Sequence, residues 1–463
     1  MNRLAFVALM LAQASVAMAQ DAPYYSQGDF KPGQRVTIAL QNPLDEARRD
    51  SPVIIRRADL PMLHDVHELS ITLVDPAGTS RPEPSAQTRA AEGAHGRVAE
   101  ANGRSIDYQF DDLDGDGLWD ELFFTADFEP GETKAIHAYP GEHQRGWNPH
   151  RTHAAIGSYM RHTVPFWESG NVGWKLWYPT DIDVYAKRTP QLMANRLYME
   201  NLDGYAVSLI DPGLGSDIMM VADSFGGGGI GVFDDVADPA AVSRPRFTSR
   251  SPVDGNFNGG AASDTRYAFS VLANGPLRSM VRVRTMNWDS GKGQYEAEQV
   301  YTAYAGQDYT TAKVHFPRFD PAQPGAAYAV GIRKRPGETG FVQDGGMVVT
   351  TAPEVIRNPD DLEAVQPDMA VDFAGTALVV RNEYAPTYVF SPTRGGNHLL
   401  RIEPTAGNSF EYLLAAGWSE GAGPATAEAF QAYVGKVARE YAAPIRFVSA
   451  ATESRSGTAG SPD

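Results

Sequence analysis

Short runs of alternating apolar and polar residues, broken by Gly, Pro and Asp, fill the chain from Gln34 onward. Val36-Thr37-Ile38-Ala39-Leu40, Val53-Ile54-Ile55, Leu69-Ser70-Ile71-Thr72-Leu73-Val74 and Leu122-Phe123-Phe124 have the composition and spacing of strands. Residues 76–105 are polar and poor in large apolar groups, as a long loop would be. A polar, Pro- and His-containing stretch, Gly141 to His153, reads as a linker. Strand-like segments then resume at Gly173–Tyr178, Ile218–Val221, Ser279–Arg284, Tyr295–Tyr301 and Ala377–Val380, where Leu378 and Val380 are expected to face the core. The period of two in Val281-Arg282-Val283-Arg284 puts both arginines on one face. Only one segment has a helical period. Phe430, Tyr433, Val434, Val437 and Tyr441 share a face, with Thr426 as N-cap and Pro444 closing the segment.

The fold expected is therefore mainly β. An N-terminal β-sandwich-like region spans residues 20–145, and a larger β-domain with a C-terminal helix spans 146–450. Residues 451–463 are low in complexity and read as a disordered tail. The first residues follow a different rule. Arg3 opens a short basic region, Leu4 to Val16 is nearly all apolar, and Ala17-Met18-Ala19 supplies a small-residue cleavage site. Residues 1–19 read as a signal peptide cleaved after Ala19, which implies a periplasmic or secreted protein.

Composition narrows the chemistry. At 463 residues the chain is long enough for two or three domains, and 40 basic against 57 acidic side chains give a net charge of −17. That charge argues against nucleic acid and against an anionic membrane surface as partners. No cysteine is present, which excludes disulfides, zinc–thiolate sites and cysteine nucleophiles. No phosphate-binding glycine motif follows a strand, so no nucleotide cofactor is expected; Gly226-Gly227-Gly228-Gly229 lacks the lysine such a loop needs. Nor is there a G-x-S-x-G nucleophile elbow.

Residues 111–121 hold six carboxylates. Asp112, Asp114, Asp116 and Asp120, with the Leu118 carbonyl, alternate as calcium loops present oxygens, and Gly117 allows the sharp turn. Position twelve is Phe123 and the flanks are strand-like, so this is no EF-hand. A structural Ca²⁺ suits the pattern; the alternative is a hairpin turn whose aspartates cap backbone amides.

A second concentration lies after the linker. His150, His153 and His162 precede Trp167-Glu168, Trp174, Trp177, Asp181, Asp183, Tyr185 and Lys187. Three tryptophans within residues 167–177, mixed with carboxylates, suit a saccharide, whose C–H faces stack on aromatic rings while carboxylates orient its hydroxyls. The alternative is that the tryptophans are β-core. Arg333-Lys334-Arg335 is a basic cluster in an acidic chain and suits a substrate carboxylate or sulfate.

Ala273-Asn274-Gly275-Pro276-Leu277-Arg278 to Val283, followed by Tyr295-Glu296-Ala297-Glu298-Gln299-Val300-Tyr301-Thr302-Ala303-Tyr304-Ala305-Gly306, resembles the galactose-mutarotase-like β-supersandwich. With Asp112 to Glu121, Trp167-Glu168-Ser169, Gly173-Trp174 and Gly417-Trp418, the chain from Val36 to Val448 resembles the bacterial domain-of-unknown-function 4861 family. The resemblance implies an exported protein of polysaccharide degradation, whose superfamily relatives include lyases, epimerases and glycoside-processing enzymes.

The leading expectation is β-elimination on a uronic-acid-containing oligosaccharide, by a lyase or a dehydratase. Arg333, Lys334 and Lys187 are then candidates to hold the carboxylate, and His153, His162 and Tyr185 to move protons. Trp167, Glu168, Trp174, Trp177, Asp181 and Asp183 are the candidate saccharide contacts. The alternatives are a non-catalytic glycan-binding protein and a glycoside hydrolase with paired carboxylates, for instance Glu168 with Asp181 or Asp183.

Overall fold

The computed structural model describes residues 23–80, 98–143, 149–159, 162–177, 181–194, 210–211, 213–219, 221, 224–235, 237–238, 240–245, 265–356, 369–392 and 395–455. The presumptive leader, residues 1–19, lies outside them, as do the side chains of His162 and Trp177. The fold is mainly β, built of antiparallel sheets, with one α-helix near the C-terminus among the described residues. The chain divides into two units, residues 1–149 with 443–463, and residues 150–442.

In the first unit a five-stranded sheet has the order Arg446–Ser454, Gln34–Gln41, Thr133–Pro140, Ile71–Asp75, Arg104–Ser105. A three-stranded sheet joins Arg48–Arg56, Glu121–Phe128 and Tyr108–Asp111. Alternation is legible in the second of these strands' partners: Val53 and Ile55 are buried while Ile54 between them is exposed. Two expectations need correction. Leu69 and Ser70 belong to a 3-10 turn, Glu68–Ser70, because the His67 ring accepts the Leu69 N–H and holds the turn until Ile71 starts the strand. Residues 446–450 do not close the larger domain, and 451–454 are not tail. Together they form a nine-residue strand paired with Gln34–Gln41. The reason is charge. Arg35 is fully buried, and Glu453 on the late strand holds it through Nε at 2.9 Å and Nη2 at 2.8 Å, while also accepting the Thr37 hydroxyl at 2.7 Å.

The second unit contains sheets of six, four and eight strands around one continuous apolar core. Its eight-stranded sheet carries the long strands Arg278–Asp289, Gly293–Tyr304, Tyr309–Pro321 and Met369–Val380, with Val281, Val283, Leu378 and Val380 in the core as the alternation predicts. Ile218–Val221 is not a strand. The strand is Gly215–Asp217, and Ile218 instead donates its N–H to the Val184 carbonyl at 2.9 Å as the chain leaves the sheet. The helix Ala427–Ala442 starts at Thr426, whose hydroxyl accepts the Ala429 N–H at 3.2 Å. It buries Phe430, Val434 and Val437. Gly375 and Gly417 make room for this: a Cβ on either would stand 2.8 or 3.0 Å from the Phe430 ring.

Replacing Glu453 by Ala leaves the Arg35 guanidinium buried without its carboxylate. A destabilisation of about 3 kcal/mol is expected in a urea unfolding transition of the first unit, and an unchanged midpoint would show that Arg35 finds another acceptor.

Candidate active site

The six-stranded sheet has the order Thr152–Tyr159, His162–Ser169, Val172–Trp177, Asp181–Lys187, Gly215–Asp217, Ile210–Asp211. Its register pairs His153 with Glu168, Glu168 with Gly173, Gly173 with Tyr185 and Tyr185 with Asp217; one step along, Lys175 pairs with Asp183. Opposed residues share a face, so these polar side chains line one side of the sheet. The other side carries Trp167, Trp174, Leu176, Ile182 and Val184, all in the core. Sheet alternation thus splits the Trp-and-charge cluster in two. Trp167 and Trp174 are 0 % and 1 % exposed; Trp167 stacks on Tyr301 at 4.5 Å and donates to Thr310 at 2.8 Å. Neither indole can meet a sugar, which corrects the stacking expectation for both.

The polar face holds two groups of charge. In the first, Glu168 receives the Lys187 ammonium on Oε2, the Met193 N–H at 3.0 Å and the Ala194 N–H at 3.0 Å. His153 Nδ1 stands 3.5 Å from its other oxygen. Burial pushes the Glu168 carboxyl up, but Lys187 and the bonds from His153 and Met193 outweigh it and hold the carboxyl below its ordinary range. Burial lowers Lys187 while Glu168 opposes the change. The two shifts pull the pair in opposite directions, and the ionised form is favoured by geometry. The ammonium has three donors, and Glu168, the Ser169 carbonyl at 2.5 Å and the Gln191 carbonyl at 2.8 Å take all three. Lys187 therefore has no donor left for a substrate carboxylate, and Glu168 is a brace for the Met193–Ala194 backbone. Asp181 is likewise engaged, accepting from Arg244 at 2.7 Å.

The second group is different. Lys175 Nζ lies 2.9 Å from Asp183 Oδ2 and 2.9 Å from the Tyr185 hydroxyl, and all three side chains are almost completely buried. Asp217, on the neighbouring strand, accepts the Met219 N–H at 2.8 Å. Burial pushes Asp183 up against the pull of Lys175. Asp217 goes further: burial, then the negative Asp183 beside it, carry its carboxyl well above the ordinary range, with Lys175 opposing. Of the two carboxyls, Asp217 is the one more strongly biased toward its uncharged form. Arg335 completes the group. It is 2 % exposed, with Nη1 2.6 Å from Glu354 and 2.5 Å from the Ile218 carbonyl, while its Nε and Nη2 have no hydrogen-bond partner among the described residues.

Of the predicted basic residues, Arg333 is partly buried and senses Glu354 and Arg335, whereas Lys334 is half-exposed and 3.9 Å from Glu338. Arg335 was named from sequence only as part of the basic cluster 333–335, and Lys175, Asp217 and Glu354 were not singled out. Alternation in Gly173-Trp174-Lys175 could have found Lys175, since it must face away from Trp174; Asp217 has no local signal.

A separate shallow cleft is lined by Asn171, Lys187, Thr189, Asp308, Trp418 and Pro424 among others. Burial pushes Asp308 up to about 6, with a bond from Asn171 opposing. The cleft gathers fewer titrating groups than the Lys175 face, and the latter is the better candidate for chemistry. In the first unit, Asp112, Asp114 and Asp116 each bring one oxygen within 4.8 Å of the others. The same carboxylates also cap the turn: Asp112 accepts from Gly115 at 2.7 Å and Gly117 at 2.9 Å, and Asp116 from Leu118 at 2.8 Å. Asp120 stands outside that trio, accepting from Leu113 at 2.7 Å.

Residues 40–447 match the family model described as a domain of unknown function, DUF4861. No curated protein matches the chain. Solved structures that share similarity include a protein in glycosyl hydrolase family 38 from Enterococcus faecalis, at 10 % identity and a TM-score of 0.46 over 96 % of this chain and 50 % of that one. Another is an alpha-mannosidase from Enterococcus faecalis V583, at 12 % identity and a TM-score of 0.43 over 92 % of this chain and 46 % of that one. The chain spans about half the length of both.

The proton on Asp217 has a consequence for stability. In the unfolded chain an aspartate ionises near pH 3.9, while in the fold Asp217 keeps its proton to higher pH. The folded state then binds more protons across that window, so stability falls as pH rises through it. Asp217→Asn cannot ionise and is expected to remove this slope, gaining on the wild type as pH rises above the unfolded value in chemical denaturation. Parallel pH profiles for the two proteins would show that Asp217 is ionised in the fold.

Proposed function

The chain belongs to the DUF4861 family, and for this member we propose β-elimination on uronic-acid-containing oligosaccharides, as a lyase or as a dehydratase. The supporting observation is the buried Arg335 guanidinium, with two nitrogens lacking a partner among the described residues, beside the Lys175–Tyr185 pair and Asp217, whose carboxyl is raised by burial. β-Elimination needs a cation on the uronate carboxylate, a base for the proton at C5 and an acid for the leaving oxygen. This reading assigns Arg335 Nε and Nη2 to the carboxylate, and because both atoms are buried it requires the site to open for substrate. Lys175 donates to the Tyr185 oxygen, and Tyr185 is the group this reading assigns to take the C5 proton. The electron pair forms the C4–C5 double bond, the C4–O bond breaks, and the Asp217 proton passes to the departing oxygen. That oxygen leaves as a sugar hydroxyl in a lyase and as water in a dehydratase.

The reading takes a galactose-mutarotase-like supersandwich as its frame and an exported, periplasmic setting from the leader-like residues 1–19. His153 serves it by orienting Glu168, with no proton transfer of its own. A second reading, glycoside hydrolysis by Asp183 and Asp217, draws on the same two buried carboxyls held at different protonation. A structural Ca²⁺ on Asp112, Asp114 and Asp116 is a separate part of the proposal, supported by their mutual approach.

Incubation with alginate, ulvan, pectin or glucuronan fragments is expected to generate the ultraviolet absorbance of a C4–C5 unsaturated uronate. Tyr185→Phe should lower kcat by about 10²–10⁴-fold. No absorbance on any of the four would overturn the elimination, and new reducing ends without absorbance would favour the hydrolytic reading. For the acidic loop, calcium at a hundredfold excess over Kd should stabilise the protein by about 2.7 kcal/mol. Asp114→Ala should abolish that gain; identical melting in chelator and in calcium identifies a capped turn.

A further inference from the structure

Away from the Lys175 group, the strands Thr387–Ser391 and Asn397–Ile402 pair so that Phe390 stands opposite His398. The strand Gly340–Asp344, an edge of the eight-stranded sheet, brings Phe341 to the same place. Phe341 stacks on the His398 ring at 4.6 Å, and Phe390 approaches it at 5.6 Å. These two phenylalanines are 44 % and 41 % exposed, among the few large apolar side chains left in solvent.

His398 itself is buried and both its ring nitrogens are engaged. Tyr388 donates its hydroxyl to Nδ1 at 2.9 Å, and Nε2 donates to Glu338 at 2.9 Å, a carboxylate that also accepts from Thr350 at 2.6 Å. With no free nitrogen, the imidazole is a fixed floor between two exposed rings, and proton transfer is not its task. Gly396 sets the tilt of one of them: a Cβ there would stand 2.9 Å from the Phe390 ring. Two cations edge the rings, one of them 3.9 Å from Glu338. Lys334 Nζ lies 5.9 Å from the Phe390 centroid, and Arg333 Nη2 lies 3.8 Å from where a Gly395 Cβ would stand. Arg333 also senses Glu354, the partner of Arg335. Residues 333–335 therefore run from the aromatic rim to the buried guanidinium.

We propose that Phe341 and Phe390, with Lys334 and Arg333 at their edge, form a subsite for the distal residues of an anionic saccharide chain. Exposed rings on a rigid floor stack on the C–H faces of pyranose rings, and the two cations select for carboxylate or sulfate in a chain whose net charge is −17. The inference deepens the proposed function and rests on it for the order of the subsites. It also supplies the aromatic platform that the buried tryptophans do not.

Binding is measured by calorimetry with a uronate hexasaccharide, a sulfated neutral-backbone hexasaccharide and an uncharged hexasaccharide. Phe390→Ala and Phe341→Ala should each weaken the anionic ligand about five- to tenfold, with melting temperature reported alongside to confirm folding. Lys334→Gln, a substitution at an exposed position, should weaken the anionic ligands alone and reduce their salt dependence. Preference for the uronate over the sulfated ligand identifies carboxylate as the anion recognised, and the reverse identifies sulfate. In turnover, the phenylalanine variants should raise KM for hexasaccharide with kcat unchanged, and leave disaccharide kinetics as in the wild type. Wild-type affinity of all three variants for every ligand would overturn the subsite. Binding without any elimination would keep the subsite and remove the proposed reaction.

Discussion

A lysine ammonium set between an aspartate and a tyrosine, with almost no solvent, is the constraint that organises the larger unit. Lys175 carries its charge inside the protein only because Asp183 stands 2.9 Å away, and a buried ion without such a partner is expensive. The compensation is not complete in the simplest sense, because Asp217 adds a second carboxyl. Burial and the proximity of Asp183 raise the Asp217 carboxyl and favour its uncharged form. Arg335 and Glu354 form a second opposed pair beside it.

The neighbouring Glu168–Lys187 pair shows how a similar residue set becomes inert. Every donor of Lys187 is taken, and Glu168 spends both oxygens on backbone amides and the ammonium. The difference lies beside the Lys175 group, where Arg335 Nε and Nη2 have no hydrogen-bond partner among the described residues. A fully satisfied network rigidifies its surroundings, and an incompletely satisfied one has capacity left for a ligand. Here the rigid pair lies on the same sheet face as the Lys175 group.

Much of this architecture was readable from the chain. The strand cores around Val36, Val53, Leu122, Val281 and Leu378, and the helix after Thr426, follow from periods of two and 3.6 that only burial on one face can produce. Tyr185 and Asp183 were also legible. The tryptophans were misleading because proximity in sequence says nothing of face: Trp174 and Lys175 are adjacent and point to opposite sides of one sheet. Asp217 was hidden for another reason. Its meaning depends on Asp183 and Lys175, both more than thirty residues away, and no local spacing encodes that. The late strand was missed because Arg446–Ser454 follows a closing proline and looks polar, and its partner Gln34–Gln41 is at the other end of the sequence.

That last pairing makes the smaller unit discontinuous, with the larger one inserted between its two parts. The strand Gln34–Gln41 emerges early in synthesis, but its outer neighbour arrives only after more than four hundred residues have followed. Until then one edge of the central sheet is open, and Arg35 lies on that edge with its carboxylate partner still unmade. An open edge invites pairing with other chains, and contacts of such long sequence separation form slowly. The larger unit, formed of one continuous stretch, can fold first. The smaller unit is then sealed as the last event, when the end of the polypeptide comes back to its beginning.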